Sequence, residues 1–283
     1  MRLLSWNIQW GRGCDGRVDL DRIAAVIHAQ GEIDVVCLQE VAVNHPGLPG
    51  SRGEDQVAEL ARRFPGHRPC YSAASDLLGD NGERRLFGNL ILSRLPLLQV
   101  LRHPLPAPAD ADIATMPRVA LEAIVDSPAG PLRIITTHLE YYSLRQRRAQ
   151  MQALAGLQRS DGFAYAGRCS DSRDADAPYR CPPRPQAAVC CGDFNCAPEA
   201  PELQELLALG DAAGPFWHDA WPLLHPGAPH AHSVGLHGAP WPDHPYCCDY
   251  FLVSQALRGR VRRIEVEQAT DASDHQPVLL ELG

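Results

Sequence analysis

The sequence predicts an α/β fold in which two β-sheets pack face to face and helices cover their outer faces. Three observations lead there. The chain of 283 residues is 45% hydrophobic and 21% charged, which is enough apolar side chain to bury a large core. Short runs rich in Val, Ile and Leu recur along its whole length. Longer stretches with helical spacing lie between some of them, so strand formers and helix formers interleave instead of separating into blocks.

The strand-like runs fall at 3–8, 35–39, 87–93, 97–102, 118–125, 132–138, 188–193, 249–253, 261–266 and 278–282. A helix is expected over 19–28, where Asp19 and Asp21 put negative charge in the first turn and Leu20, Ile23 and Ile27 share one face. Segments 55–64 and 143–157 behave likewise; the second groups Leu144, Met151 and Leu154 and leaves Arg145, Arg147 and Arg148 to solvent. Two segments resist the pattern. Residues 160–186 are rich in Arg, Asp, Pro and Cys, and residues 222–245 hold His225, His230, His232, His237 and His244 among prolines. In a chain expected to form one domain over 1–283, both read as loop insertions, and long loops in compact domains tend to serve a site.

The formal net charge is −8. A protein that grips duplex phosphates through many contacts carries a basic face, so bulk charge weighs against non-specific duplex binding while leaving room for a local basic stripe. No run approaches the roughly 20 apolar residues of a membrane span, and the segment Met1 to Asn7 lacks the apolar stretch of an export signal, so a cytoplasmic protein is expected. Ten cysteines without a C-x-x-C spacing suit buried thiols better than a disulfide framework; Cys169 and Cys181, which bracket a loop, are the exception. No protein partner is evident.

Polar groups close several of the runs. Asn7 follows Arg2 to Trp6, Glu40 follows Asp34 to Leu38, His138 follows Leu132 to Thr137, and Asp193 and Asn195 follow Ala188 to Cys191. Asp274 and His275 stand immediately before Val278 to Leu280. Five strand ends, each with a carboxylate, amide or imidazole, are expected to converge on one site. In order, Ser5-Trp6-Asn7, Leu38-Gln39-Glu40, Thr137-His138-Leu139, Gly192-Asp193-Phe194-Asn195, Asp249-Tyr250 and Ser273-Asp274-His275 resemble the motif series of the endonuclease/exonuclease/phosphatase family of divalent-metal phosphoesterases. The resemblance runs from Arg2 to Leu282. It implies a four-layer α/β/β/α sandwich and hydrolysis by direct attack of an activated water at phosphorus, and no Ser or Cys nucleophile motif competes with it.

Such an enzyme must neutralise the phosphoryl oxygens, activate a water and help the leaving oxygen depart. Hard oxygen donors suit Mg²⁺ or Mn²⁺. Glu40, Asn7 and Asp274 are the expected metal side; the position two after Asn7, often an Asp in the abasic-endonuclease branch, is Gln9 here, one carboxylate fewer. Asp193 and Asn195, two apart, point to the same side of an extended segment, where the carboxylate can orient the water and the amide can hold a phosphoryl oxygen. By resemblance, Asp249 and His275 form an imidazole–carboxylate dyad, with His275 acting as base or as a cation toward phosphoryl oxygens, and His138 supports the transition-state oxygens or the leaving group.

On the substrate side stand Asn89, Tyr141 with a ring able to stack on a base, and Arg168 and Arg180, accompanied in the first loop by Arg173 and Arg184. Nucleic acid is the first substrate expectation. A phospholipid head group or small phosphoester is the alternative, favoured by the acidic charge, and a catalytically inactive binding module is the third reading.

Overall fold

Each expected run becomes a strand in the computed structural model, which describes residues 1–159, 184–239 and 241–283. Two six-stranded sheets result. The first runs in the order β13 (Val261–Val266), β14 (Val278–Leu282), β1 (Arg2–Asn7), β2 (Val35–Val43), β4 (Arg84–Ser93), β3 (Arg68–Leu78). The second runs β11 (His218–Asp219), β12 (Asp249–Val253), β8 (Ala188–Asp193), β7 (Gly130–His138), β6 (Val119–Ser127), β5 (Leu97–Pro104). A minor ribbon pairs β9 (Gly210–Asp211) with β10 (Gly214–Pro215). Each large sheet has one parallel pair at its centre, β1 with β2 and β7 with β8, and antiparallel partners on either side.

The period-2 alternation of a strand assigns the side chains to layers. Leu3, Val35, Cys37, Ile91, Leu121, Ile134, Val189, Cys191 and Phe251 fill the space between the sheets. Their neighbours Leu4, Trp6, Val36 and Leu38 face outward onto α1 (Leu20–Ala29) and α2 (Gln56–Arg63), which bury Leu20, Ile23, Ile27 and Leu60. On the far side Ile135, Ala188, Cys190 and Leu252 meet α3 (Leu144–Gly156) and α4 (Pro201–Ala208) through Met151, Leu154, Leu203 and Leu206. Two sheets inside and helices outside make the α/β/β/α sandwich. The same alternation explains the Cys190-Cys191 pair, whose thiols point into different cores.

Helix starts follow the sequence: Asp19, Asp55 and Ser143 each cap a helix by accepting from first-turn N–H groups. The structure departs from the sequence reading in three places. β3 carries too little apolar alternation to announce itself and lies at a sheet edge; α4 was not anticipated. On α3 the solvent face is drawn differently: Leu144 is exposed, whereas Arg147 is tied to Glu202 at 2.8 Å and donates to the carbonyls of Glu140 and Tyr141. Arg168, Arg173, Arg180, Cys169 and Cys181 lie outside the described residues. Among the described residues, no helix is long and apolar enough to cross a membrane.

Candidate active site

Strand register alone builds most of the site. Asp193, the last residue of β8, is paired across the sheet with His138 on β7 and with Asp249 on β12. All three are in phase with Ile134, Cys191 and Phe251, so they face the inter-sheet space just beyond the end of its apolar core. From the opposite sheet Asn7 is in phase with Leu3, and Ser5 with it. Beneath them Gln39 spans the sheets, donating to Ser5 Oγ at 3.3 Å and Thr136 Oγ1 at 2.8 Å. The C-terminal ends of both parallel pairs therefore open into one polar cleft, the place where open α/β sheets present their ligand sites.

Glu40 reaches this cleft by breaking the alternation. Its position would place it with Val36 and Leu38 on the helix side, but the β2–β4 register shifts between Leu38 and Val41 and Glu40 takes φ 59°. Its Oε1 then accepts from Asn7 Nδ2 at 2.9 Å, and the same amide donates to Asp193 Oδ2 at 3.0 Å. Gln9 (φ 44°) and Asn195 (φ 52°) also sit in the left-handed region, and such strain concentrates where a fold must aim functional groups. Gln9 N donates to Asn7 Oδ1 at 3.1 Å and its side-chain amide donates to Asp274 Oδ2 at 2.5 Å. Asn195 N caps Asp193 Oδ1 at 2.8 Å, and its Nδ2 donates to Leu139 O. At Gly192 a Cβ would lie 1.9 Å from Thr137 O, so only glycine allows β8 to approach β7 this closely just before Asp193.

His275 joins through Nδ1, 2.9 Å from Asp249 Oδ2, while its Nε2 stands 3.7 Å from Asp193 Oδ2. Trp6 Nε1 donates to the His275 carbonyl at 2.9 Å and fixes the backbone. His138 lies 3.6 Å through Nε2 from Asp193 Oδ2 and 3.9 Å through Nδ1 from Glu40 Oε1. The two imidazoles are driven in opposite directions. Burial alone lowers the pKa of each, and at His138 the nearby Arg118 adds to this, bringing it down to about 3. At His275 burial is outweighed by Asp249 and Asp193, which hold it well above its ordinary value. At neutral pH the site thus pairs a neutral imidazole with a charged one. Glu40 is pushed up to about 7 by burial and by the charge of Asp274, and Asp274 is raised by burial.

Asn7, Glu40, His138, Asp193, Asn195, Asp249, Asp274 and His275 are thus gathered at one end of the sandwich. The weaker substrate-side candidates fall differently. Asn89 is buried and donates to Val119 O at 2.9 Å, tying β4 to β6 below the cleft instead of reaching into it. Tyr141 packs edge-on against Trp241, centroids 4.9 Å apart, and against Tyr142 at 4.7 Å. Arg184 is bound at 2.7 Å to Glu122, which rules it out as a free phosphate ligand.

Sequence reasoning missed four residues. Ser233, inside the His-rich loop, donates to Asp249 Oδ2 at 2.7 Å and accepts from the N–H groups of Cys248 and Asp249, so that loop supports the dyad from behind. Arg118 is buried in a 3.2 Å pair with Glu140. Gln9, one carboxylate fewer in the sequence, holds Asn7 and Asp274 through its backbone N–H and side-chain amide. Cys248 lies with its Sγ 3.4 Å from Asp249 Oδ2. Adjacency to Asp249 was the one signal available for Cys248; nothing in the sequence marked Ser233.

The comparisons agree with this geometry. Residues 4–275 match the Endonuclease/Exonuclease/phosphatase family. The chain belongs to that family. An endonuclease/exonuclease/phosphatase from Beutenbergia cavernae DSM 12333 is 25% identical, superimposes with a TM-score of 0.70, and is matched over 100% of this chain and 72% of its own. Two further solved structures share the fold: a mannosyl-6-phosphatase from Bacteroides thetaiotaomicron VPI-5482 (15% identity, TM-score 0.67, 100% and 99% of the chains) and a 3′ phosphatase from Neisseria bound to a product DNA hairpin (19%, 0.60, 100% and 99%). No curated protein matches the sequence. Membership makes phosphoester hydrolysis with a divalent metal the family-level activity. The donor set fits such an ion: Glu40 and Asp274 bring carboxylates whose mutual repulsion in a buried cleft a cation relieves.

Proposed function

We propose that this chain is a Mg²⁺- or Mn²⁺-dependent phosphoesterase in which water attacks phosphorus directly, and that nucleic acid is its substrate. The observation that carries the reading is the Asp249, Asp193, His138 row set by strand register, facing Asn7, Glu40 and His275 across the end of the sandwich. Glu40 and Asp274 would hold the cation, with Asn7 keeping Glu40 in place. Bound there, the ion neutralises charge on a phosphoryl oxygen.

The remaining groups divide the work by charge state. Asp193, held by Asn7 and by Asn195 N, orients the attacking water and takes its proton. His275, kept charged by Asp249, donates from Nε2 to a phosphoryl oxygen as negative charge grows in the transition state. His138 remains neutral and offers an N–H to the departing oxygen without adding charge beside Arg118. Asn195 lies at the same edge for a second phosphoryl contact.

Support for a nucleic-acid substrate comes from the rim, where Tyr141 and the half-exposed Trp241 offer ring faces and edges on which a base can stack. A small sugar phosphate or phospholipid head group is the second reading, favoured by the net charge of −8 and by the engagement of Arg184 with Glu122. Abasic duplex, single-stranded DNA, RNA, sugar phosphates, phosphoinositides and bis(4-nitrophenyl) phosphate, each assayed with Mg²⁺ or Mn²⁺ and with EDTA, test both. Cleavage of nucleic acids that chelation abolishes is expected. Turnover that survives exhaustive chelation removes the metal from the mechanism, and turnover confined to sugar phosphates or lipids removes nucleic acid.

A further inference from the structure

A thiol, an imidazole and two carboxylates meet beside the hard-oxygen cleft, and the combination has a different metal preference. Cys248 Sγ is fully buried, 3.4 Å from Asp249 Oδ2 and 3.9 Å from His275 Nδ1. Asp193 completes the group: one ligand atom from each of Asp193, Cys248, Asp249 and His275 can be chosen so that all four lie within 4.8 Å of one another. A second observation points to a ligand. Asp249 Oδ1 is buried with no hydrogen-bond partner, although its other oxygen is crowded by Ser233, Cys248 and His275. A buried carboxylate oxygen left without a donor costs free energy that a coordinated cation offsets.

From this geometry we propose a thiophilic-metal site, of the Zn²⁺ class, built on Cys248, Asp249 and His275 with Asp193 at its open side, whose occupation inhibits the phosphoesterase. Bonds of about 2.3 Å to sulfur and about 2.0–2.1 Å to nitrogen and oxygen place tetrahedral donors about 3.3–3.6 Å apart. The Cys248–Asp249 separation already falls in that range, and the Cys248–His275 separation must contract by a few tenths of an ångström. The 2.9 Å between Asp249 Oδ2 and His275 Nδ1 must open by about as much as an ion replaces their hydrogen bond. His275 ligates through Nδ1, the nitrogen on the Cys248 side. Coordination releases the Cys248 thiol proton and any proton on Nδ1 to solvent and leaves a thiolate–metal bond. Mg²⁺ does not compete for a sulfur donor, whereas Zn²⁺ selects one, so the two ions part between adjacent centres. The inhibitory consequence rests on the function proposed above: the ion takes up Asp249 and Nδ1 of His275, so the imidazole loses the contact that aims its Nε2 into the cleft.

Cobalt(II), a visible stand-in for zinc, separates the site from the activity. Titration of the reduced, metal-free protein should give one equivalent of binding with a thiolate-to-cobalt charge-transfer band that Zn²⁺ displaces and excess Mg²⁺ does not. Cys248→Ser should abolish the band, and Cys14→Ser, which alters the partly exposed thiol near Ser273, should retain it. On any phosphoester the protein turns over, Cys248→Ser should raise the Zn²⁺ concentration for half-inhibition at least tenfold, each protein being measured against its own Mg²⁺-supported rate. Absence of the band in folded wild type, or its persistence in Cys248→Ser, overturns the site. Loss of the band in Cys248→Ser with unchanged zinc inhibition overturns the inhibitory role. Should no phosphoester be turned over, the function proposed above fails while the cobalt titration still decides the metal site.

Discussion

Two clusters of buried charge, one on the outer face of the second sheet and one in the cleft between the sheets, show the same physics sending carboxylates in opposite directions. On the outer face Glu122 accepts from Arg133 Nε at 2.6 Å, Arg184 Nη2 at 2.7 Å and contacts His103 Nε2 at 2.7 Å. Burial works against its charge, but His103, Arg133 and Arg184 win and hold it down at about 2. At the cleft Glu40 meets burial and the like charge of Asp274, with only an amide in direct contact, and rises to about 7. The first cluster is compensated from within the fold, as structural ion networks are; the second has a charge balance that a substrate or cation must complete. Buried charge alone therefore does not mark a functional site. What marks it here is that, among the described residues, no cationic side chain is hydrogen-bonded to Glu40 and the charge of His275 only partly offsets burial and Asp274.

The sharpest test of that contrast is the loss of the compensated partner. Glu122→Gln leaves Arg133 and Arg184 without their shared carboxylate, and removal of one member of a buried pair costs about 3–5 kcal/mol. Urea unfolding should show this loss, while kcat at a temperature where the variant stays folded should remain within about twofold of wild type. A cost below about 1 kcal/mol would mean the cluster is not structural and would erase the comparison.

At the cleft the larger effect is on rate. His275→Ala should lower kcat by about 10²-fold or more in a protein that still folds, with a loss of stability because Asp249 loses its buried partner. Unfolding of the variant would reassign His275 to the fold, and an unchanged rate would remove the dyad from the mechanism.

How much of this was visible in the sequence depends on whether chain-local pattern or long-range geometry sets the feature. The central strands were legible because Leu3 to Trp6, Val35 to Leu38 and Ala188 to Cys191 are apolar runs with polar terminators, and those terminators meet because strand register brings Asp193 level with His138 and Asp249. β3 was not legible, since an edge strand keeps a mixed sequence. Alternation would have aimed Glu40 the wrong way; only the kink at φ 59° explains its position. Ser233 and Arg118 reach the site from loops and strand starts whose local sequence carries no mark of it, and Arg184 looked like a phosphate ligand until its carboxylate partner 62 positions away appeared.

Glu40→Gln probes the uncompensated side at the level of stability. Its ordinary pKa is 4.5 and its folded value about 7, so between those pH values the folded protein keeps a proton that the unfolded chain has lost, and metal-free stability falls as pH rises through that window. Glu122 has the opposite sign: its folded value of about 2 makes stability fall as pH drops below 4.5. His138, held down at about 3 in the fold, adds stability as pH rises toward its ordinary 6.5 and offsets the Glu40 loss there. In thermal unfolding with EDTA the Glu40 contribution is therefore read as the difference between wild type and variant at each pH. Glu40→Gln should gain on the order of 1–3 kcal/mol relative to wild type at pH 8, since each pH unit in the window is worth about 1.4 kcal/mol. Loss of stability at pH 8 would show that Glu40 is held by contacts stronger than its repulsion.

The smallest effect concerns the rim, where the cleft meets solvent and neither cluster's charges decide the outcome. Trp241 is 48% exposed, its ring 4.9 Å edge-on from Tyr141 and 6.5 Å from Tyr246, so its truncation removes stacking surface without opening the core. Stacking of a base on an aromatic ring contributes about 1–3 kcal/mol, and a half-exposed ring sits at the low end, a factor of about five to ten. Trp241→Ala should therefore raise KM for a nucleotide-bearing phosphoester by about that factor, leave kcat unchanged, and leave KM for a ring-free phosphoester where it was. An equal rise for both substrates would place Trp241 in the support of the cleft, and a fall in kcat would tie the rim to the geometry of Tyr141 and the catalytic end of β7.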